Sequence, residues 1–136
     1  MNVVDTSVVT KWFVRENHSD EAFALKKQEK EFIAPDYLKI EFYSNLSKRV
    51  RAGHISYEEA IEFQEKLNRI SLWFERYANL QELAFEFSTT YPLTYYDSIF
   101  VALAYQRRAT LYTFDLKMKR SVENTELEEL VVVPKF

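Results

Sequence analysis

Short apolar runs rich in β-branched or aromatic residues alternate along the chain with longer stretches of helical periodicity. The segments "NVVDTS", "EFIAP", "TLYTFD" and "ELVVVP" each close a few apolar residues with an acid or a proline, and each predicts a short strand. Helical patterns fill the intervals over residues 7–14, 19–30, 36–52, 56–69, 79–89 and 95–107. Strands interleaved with helices predict an α/β domain with a mostly parallel sheet. The helix ends carry their own signals. Pro35 suits the first turn of the third helix, and Gly53 suits the position just past its end. In "SYEE", Ser56 and Glu59 have the spacing of a capping box, and "NLQE" from Asn79 repeats it. "TYYD" is a variant with Thr94 as N-cap and Asp97 at the third helical position.

That last helix raises a chemical question. From Tyr95 to Ala104 its one charge is Asp97, followed by an unbroken apolar run from Ile99 to Ala104. On a period of 3.6 residues, Asp97 shares a face with Phe100, Val101 and Ala104, so the carboxylate is directed toward the packed side. There it is costly unless something compensates its charge. A hydrogen-bonded cap that complements the helix dipole, worth about 0.3 to 1 kcal/mol, is one answer, and a ligand role is the other.

Two further acids stand at strand ends. Asp5 follows Val3 and Val4, and Asp115 follows "TLYTF". In open parallel sheets, ligands bind outside the carboxyl ends of the strands, so both acids can face one crevice; N-capping is the alternative for each. Glu41 lies in "PDYLKIEFYSNLSKRV" with Tyr37 and Asn45 one turn away on either side, a position equally suited to a solvated glutamate. If all four acids line one crevice they need a counter-charge, because two carboxylates about 4 Å apart repel by about 4 kcal/mol at an effective dielectric of 20. A hard divalent cation meets that need: Mg²⁺ and Mn²⁺ take oxygen ligands, keep bound waters and bridge to phosphate oxygens.

Composition narrows the field. A length of 136 residues predicts one domain over 1–136, and 47% hydrophobic with 29% charged residues predicts a folded, soluble one. With no cysteine, disulfides, thiolate zinc sites and a cysteine nucleophile are excluded. Gly53 is the one glycine, which excludes a P-loop or a G-x-G-x-x-G cradle. His18 and His54 are isolated in polar, loop-like stretches and read as surface residues. Eighteen basic against 21 acidic side chains give a net charge of −3, so bulk charge does not hold a polyanion. Local clusters are needed instead: "SKRVR", "QRR" and "DLKMKR", of which Lys117, Lys119 and Arg120 follow Asp115 directly. Lys11, near the first acid, is a further phosphate contact to expect. Tyr95 and Tyr96 suit either base stacking or packing at the core or rim. No segment has the length of a membrane span, and the start lacks the marks of a signal peptide, so a cytoplasmic location is expected.

Taken in order, "VVDTSVVTKWFVRE", "APDYLKIEFYSNLSKRVRAGHISYEEA", "LTYYDSIFVALA" and "LYTFD" resemble the PIN domains, and among them the toxin ribonucleases of the VapC type. The resemblance covers nearly the whole chain and is weakest over residues 68–91. It implies a three-layer α/β/α sandwich, dependence on Mg²⁺ or Mn²⁺, and endonucleolytic cleavage of RNA to leave a 5′-phosphate and a 3′-hydroxyl. Asp5, Glu41, Asp97 and Asp115 fall on the family's acidic quartet. Thr6 and Ser7 follow the first acid, Asn45 lies one turn after the second, and Thr113 lies two before the last, as polar groups that orient carboxylates or waters. Ser98 stands where many relatives have alanine. The resemblance further implies a homodimer and a small antitoxin partner. Two other readings remain at this point. One is a haloacid-dehalogenase-like phosphatase with Asp5 as nucleophile, against which Ser7 occupies the place of the second acid of a D-x-D pair. The other is a PIN-like fold kept as an inactive binding module.

Overall fold

The computed structural model of the chain describes residues 1–135, and Phe136 lies outside them. Its centre is a five-stranded parallel sheet in the order β3-β2-β1-β4-β5. The strands are β1 (Asn2–Val4), β2 (Phe32–Pro35), β3 (Leu72–Glu75), β4 (Leu111–Tyr112) and β5 (Val131–Val132). Seven helices connect them: α1 (Thr6–Phe13), α2 (Ser19–Gln28), α3 (Tyr37–Arg51), α4 (Tyr57–Leu67), α5 (Gln81–Thr90), α6 (Tyr95–Arg107) and α7 (Leu116–Ser121).

The apolar strand runs explain the layering. Successive strand residues point to opposite faces, yet Val3 and Val4 are both fully buried, as are Phe32, Ile33 and Ala34 almost completely. A sheet covered on both sides has no need of alternation, and helices on both faces give the expected sandwich. Helix α6 runs across the middle of the sheet, against β1, β2 and β4. Its run from Ile99 to Ala104 is entirely buried, and each large side chain there contributes about 1.5 to 3 kcal/mol.

Because β1 lies between β2 and β4, the chain end that follows β1 is flanked by the segments that follow both neighbours. This is the switch point at which an open parallel sheet leaves a crevice.

The end signal held at α3 and the start signals at α4 and α6. Gly53 takes a φ of +76° just beyond α3, a conformation that glycine adopts at no steric cost. Ser56 and Glu59 form the full capping box of α4, and Thr94 accepts from the Asp97 amide at 3.1 Å at the start of α6.

Four expectations need correction. A fifth strand, β3, lies at the sheet edge beside β2, in the stretch where no strand was expected. Helix α7 follows Asp115 directly. Pro35 is not in a helix: it ends β2, paired with Glu75, and α3 starts at Tyr37. Asn79 does not cap α5; it ends a short 3₁₀ turn and its side-chain amide donates to Glu75 Oε1 at 2.9 Å, so α5 begins at Gln81 without a side-chain cap.

Candidate active site

Asp5 emerges at the end of β1, buried, and caps α1 by accepting from the Val8 amide at 3.2 Å on Oδ1. The same oxygen receives the Ser7 hydroxyl, while Oδ2 receives the hydroxyl of Thr113 from the segment after β4. Both hydroxyls are held in turn. Ser7 Oγ accepts from the Phe114 amide at 2.9 Å, and Thr113 Oγ1 accepts from the Asp115 amide at 2.9 Å. The backbone after β4 thus orients two hydroxyls, and these fix both oxygens of Asp5.

The other acids are anchored in the same manner. Thr6, next to Asp5, donates to Glu41 Oε1 at 2.6 Å and so ties α3 to the start of α1. Asp115 caps α7, its Oδ1 accepting from the amides of Lys117 and Met118 at 3.0 and 3.2 Å. Asp97 sits in the first turn of α6, close enough to Asp5 and Asp115 to sense both charges. Asn45 lies one turn beyond Glu41, and with Ser44 and Lys48 the two line a groove of about 260 Å³.

The electrostatics give the four positions a common environment. Burial pushes the Asp5 carboxyl up to about 6; the bonds from Ser7, Thr113 and Val8 pull it down, and the charge of Asp115 adds to the rise. Burial also raises Asp97 to about 6, with Asp115 and then Asp5 reinforcing the effect. Glu41 is raised by burial as well, with Asp97 and Asp115 adding to it against the bond from Thr6. Like charges face one another here. Among the described residues, none of the four acids forms a salt bridge.

The donor chemistry suits a hard cation. Asp5, Glu41 and Asp115 have protein donors that set their orientation, and among the described residues none donates to Glu41 Oε2 or Asp115 Oδ2; Oδ2 of Asp5 keeps a lone pair beside its one bond. All are carboxylate oxygens, the ligands that Mg²⁺ and Mn²⁺ favour. Among the described residues, however, no three such groups close into a ready-made metal cage. The four carboxylates lie near enough to feel one another's charge without closing such a cage.

The basic residues expected to meet phosphate divide into two sets. Lys117 and Arg120 are exposed on α7, and the charge of Lys117 is felt at Asp97. Lys119 instead donates to the carbonyls of Glu128 and Val131 at 3.0 and 2.6 Å, which commits its ammonium to holding the approach to β5. Lys11 pairs with Glu16 at 3.3 Å and lies over the Phe114 ring at 5.1 Å. Glu16 also takes Arg49 at 2.9 Å. His18 stacks on Phe114 with centroids 5.6 Å apart and faces Glu21 at 3.6 Å. Ser98 is fully buried and donates to the Thr94 carbonyl at 2.8 Å.

One feature escaped the sequence pattern: Tyr37 and Tyr96 stack at 5.6 Å on the rim of the crevice. The Tyr37 hydroxyl is pushed up to about 12 by burial, then by Glu41, Tyr96 and Asp97. A signal was present, since Tyr37 lies one helical turn before Glu41 and Tyr96 immediately before Asp97.

A doubly covered parallel sheet with four acids around its switch point is the architecture of a PIN domain, and the chain belongs to the PIN domain family, whose model matches residues 3–123. Within that family it is similar to Ribonuclease VapC3 of Pyrobaculum aerophilum, with 30% identity over 118 residues that span 85% of this chain and 90% of the relative. Among solved structures it superposes on VapC20 of Mycobacterium tuberculosis, a sarcin-ricin loop cleaving toxin, with a TM-score of 0.72 at 16% identity, covering 88% of this chain and 94% of that one. A toxin–antitoxin complex from Klebsiella pneumoniae contains a chain that matches with a TM-score of 0.72 at 18% identity, over 99% of this chain and 98% of that one. At these identities the structural likenesses speak for the fold.

Proposed function

We propose that this chain is a metal-dependent endoribonuclease of the VapC type and the toxin of a toxin–antitoxin pair. The observation that supports the reading is the electrostatic contact among Asp5, Glu41, Asp97 and Asp115, three of which are raised by burial and by the charges of the others. The names borne by its relatives support RNA as the substrate and a small protein antitoxin as the partner.

Asp5 and Asp97, with Glu41 and Asp115, are the residues that would hold Mg²⁺ or Mn²⁺. A hard cation held there would supply polarisation of the scissile phosphate and acidification of water. Thr6, Ser7, Asn45 and Thr113 orient the carboxylates and the waters that they hold. Ser7 and Thr113 matter most, since they fix both oxygens of Asp5. Lys117 and Arg120 meet the RNA backbone beside the acids. The reaction adds the hydroxyl of water to phosphorus and breaks the bond to the 3′-oxygen, which gains the proton. The products are a 5′-phosphate and a 3′-hydroxyl.

Membership of the PIN family removes the footing of the phosphatase reading. The deciding experiment maps cleavage sites on total RNA with wild-type protein and Asp5→Asn, each with and without chelator. Discrete cuts by the wild type that disappear with the chelator and in Asp5→Asn are expected. No cleavage by the wild type in Mg²⁺ or Mn²⁺ would return the fold to the role of an inactive binding module. A homodimer is part of the proposal, and sedimentation of the purified chain tests it.

A further inference from the structure

Beside the acids lies a cavity of about 220 Å³ whose walls include Tyr37, Tyr77, Tyr95, Tyr96, Ile40 and Ile99. Its aromatic walls are held firmly. The hydroxyls of Tyr77 and Tyr95 share a hydrogen bond of 2.5 Å, and the two rings meet edge to face with centroids 6.5 Å apart. Tyr37 stacks on Tyr96 with an angle of 19° between the planes and meets the buried Phe100 edge-on. Despite these contacts, Tyr96 stays 57% exposed and Ile40 64% exposed. Rigid aromatic faces left open to solvent make a preformed platform for another flat ring.

Position supplies the occupant. Tyr37 is one helical turn from Glu41, and Tyr96 adjoins Asp97 in the chain. A nucleotide whose phosphate meets the acids has its base one sugar away, and Tyr37, a wall of the cavity, lies near enough to Glu41 and Asp97 to feel both charges. We infer that the cavity flanked by Tyr37, Tyr95 and Tyr96 receives one unstacked nucleobase next to the scissile phosphate of a single-stranded RNA. The inference rests on the ribonuclease reading and adds a subsite to it. The walls are almost wholly apolar, so the base is held by its face and not by its edge. Stacking of this kind tolerates any base and favours those with the larger ring system.

The test uses a fluorescein-labelled single-stranded RNA spanning a mapped cut, read in two ways: KM and kcat with an otherwise wild-type protein, and anisotropy with Asp5→Asn, which holds the RNA uncut. Tyr96→Ala is expected to raise KM and Kd by about fivefold to a hundredfold with kcat little changed. Tyr96→Phe restores binding to within about twofold, because the ring is what stacks. Tyr105→Ala removes an equally exposed tyrosine at the far end of α6 and is expected to change neither constant. Replacing the nucleotide beside the cut with an abasic one abolishes the difference between Tyr96→Ala and the protein that keeps the tyrosine.

Unchanged RNA affinity in Tyr96→Ala overturns the inference and leaves the cavity to a protein partner. A defect that persists on the abasic RNA overturns it equally. If the wild type cuts no RNA, the ribonuclease reading fails and this subsite falls with it, whereas cleavage with unchanged affinity in Tyr96→Ala overturns the subsite alone.

Discussion

The two ends of the central sheet treat their acids in opposite ways. At the amino ends, Glu29 receives Asn2 Nδ2 at 2.8 Å on one oxygen and the Tyr112 hydroxyl at 2.5 Å on the other. Asn2 uses its own oxygen to accept from the Thr110 amide at 2.9 Å, so the cluster is closed. Burial, followed by the bond to Glu29, pushes the Tyr112 hydroxyl up to about 12 and keeps it a donor. At the carboxyl ends, Asp5, Glu41 and Asp115 are oriented with comparable care, but their remaining oxygens find no protein cation, and their charges are turned toward one another. A satisfied acid ties strands together. A cluster of oriented but unsatisfied acids does little for the fold and is prepared for a ligand, because its stabilising partner has to come from outside.

The largest effect that separates the two ends is catalytic. Asp97→Asn removes one charge from the crevice and is expected to lower RNA cleavage by several orders of magnitude, with an unchanged circular dichroism spectrum. Cleavage at a comparable rate by a well-folded Asp97→Asn protein would sink the metal-ligand role.

A pH titration of the metal-free protein comes next. Asp5 has a folded pKa of about 6 against 3.8 for an ordinary aspartate. Between those values the folded protein holds a proton that the unfolded chain has lost, so this group's contribution is full below pH 4, falls as pH rises through 6 and is flat above. The loss from Asp5 reaches about 3 kcal/mol, and Asp97 acts in the same direction, weakened by its contact with solvent. Melting in chelator should therefore show a higher Tm near pH 5 than near pH 8, with Asp5→Asn flattening the profile. Adding Mg²⁺ at pH 8 should recover stability in the wild type and little in the variant. A profile that rises with pH would contradict the charge balance described for the crevice.

Smaller effects follow from the supporting hydroxyls. Thr113→Val or Ser7→Ala releases one anchor of Asp5 and should cost about 10- to 100-fold in metal affinity or cleavage, read by titrating Mg²⁺ against rate. The smallest change belongs to the opposite end. Glu29→Gln disturbs the closed cluster and should cost about 1 kcal/mol of stability in urea unfolding, with cleavage unaltered. A loss of cleavage there would erase the distinction between the ends.

How much of this was legible in the sequence depended on element length. Helix α6 was readable because its long apolar run and the Thr94 cap agreed on one start, and α4 because its capping box is local. Strand β3 was missed because only Leu72 of "LWFE" is well buried at the sheet edge, which leaves little contrast with its surroundings. Six residues of α7 span too few turns to show a period. Pro35 misled because its ring suits a helix start and a strand end alike, and only pairing with Glu75 decides between them. At the site, the positions of Asp5 and Asp115 after strands and of Asp97 in the first turn of a helix were legible, whereas Glu41 had no local mark to separate it from a solvated glutamate. Their hydroxyl partners came through family resemblance, since no local pattern joins Thr113 to Asp5. The fate of Lys119 was invisible, because its partners are backbone carbonyls brought near by β5.

The bond from Thr113 to Asp5 spans 108 positions of the chain. A ribosome making this protein releases Thr113 108 residues after Asp5, and the intervening loop must close before the two meet. A growing polypeptide therefore carries its acids singly, without the geometry that the crevice requires. Under the proposed activity, the machinery that synthesises this chain is shielded from it by chain order alone until Thr113 has emerged.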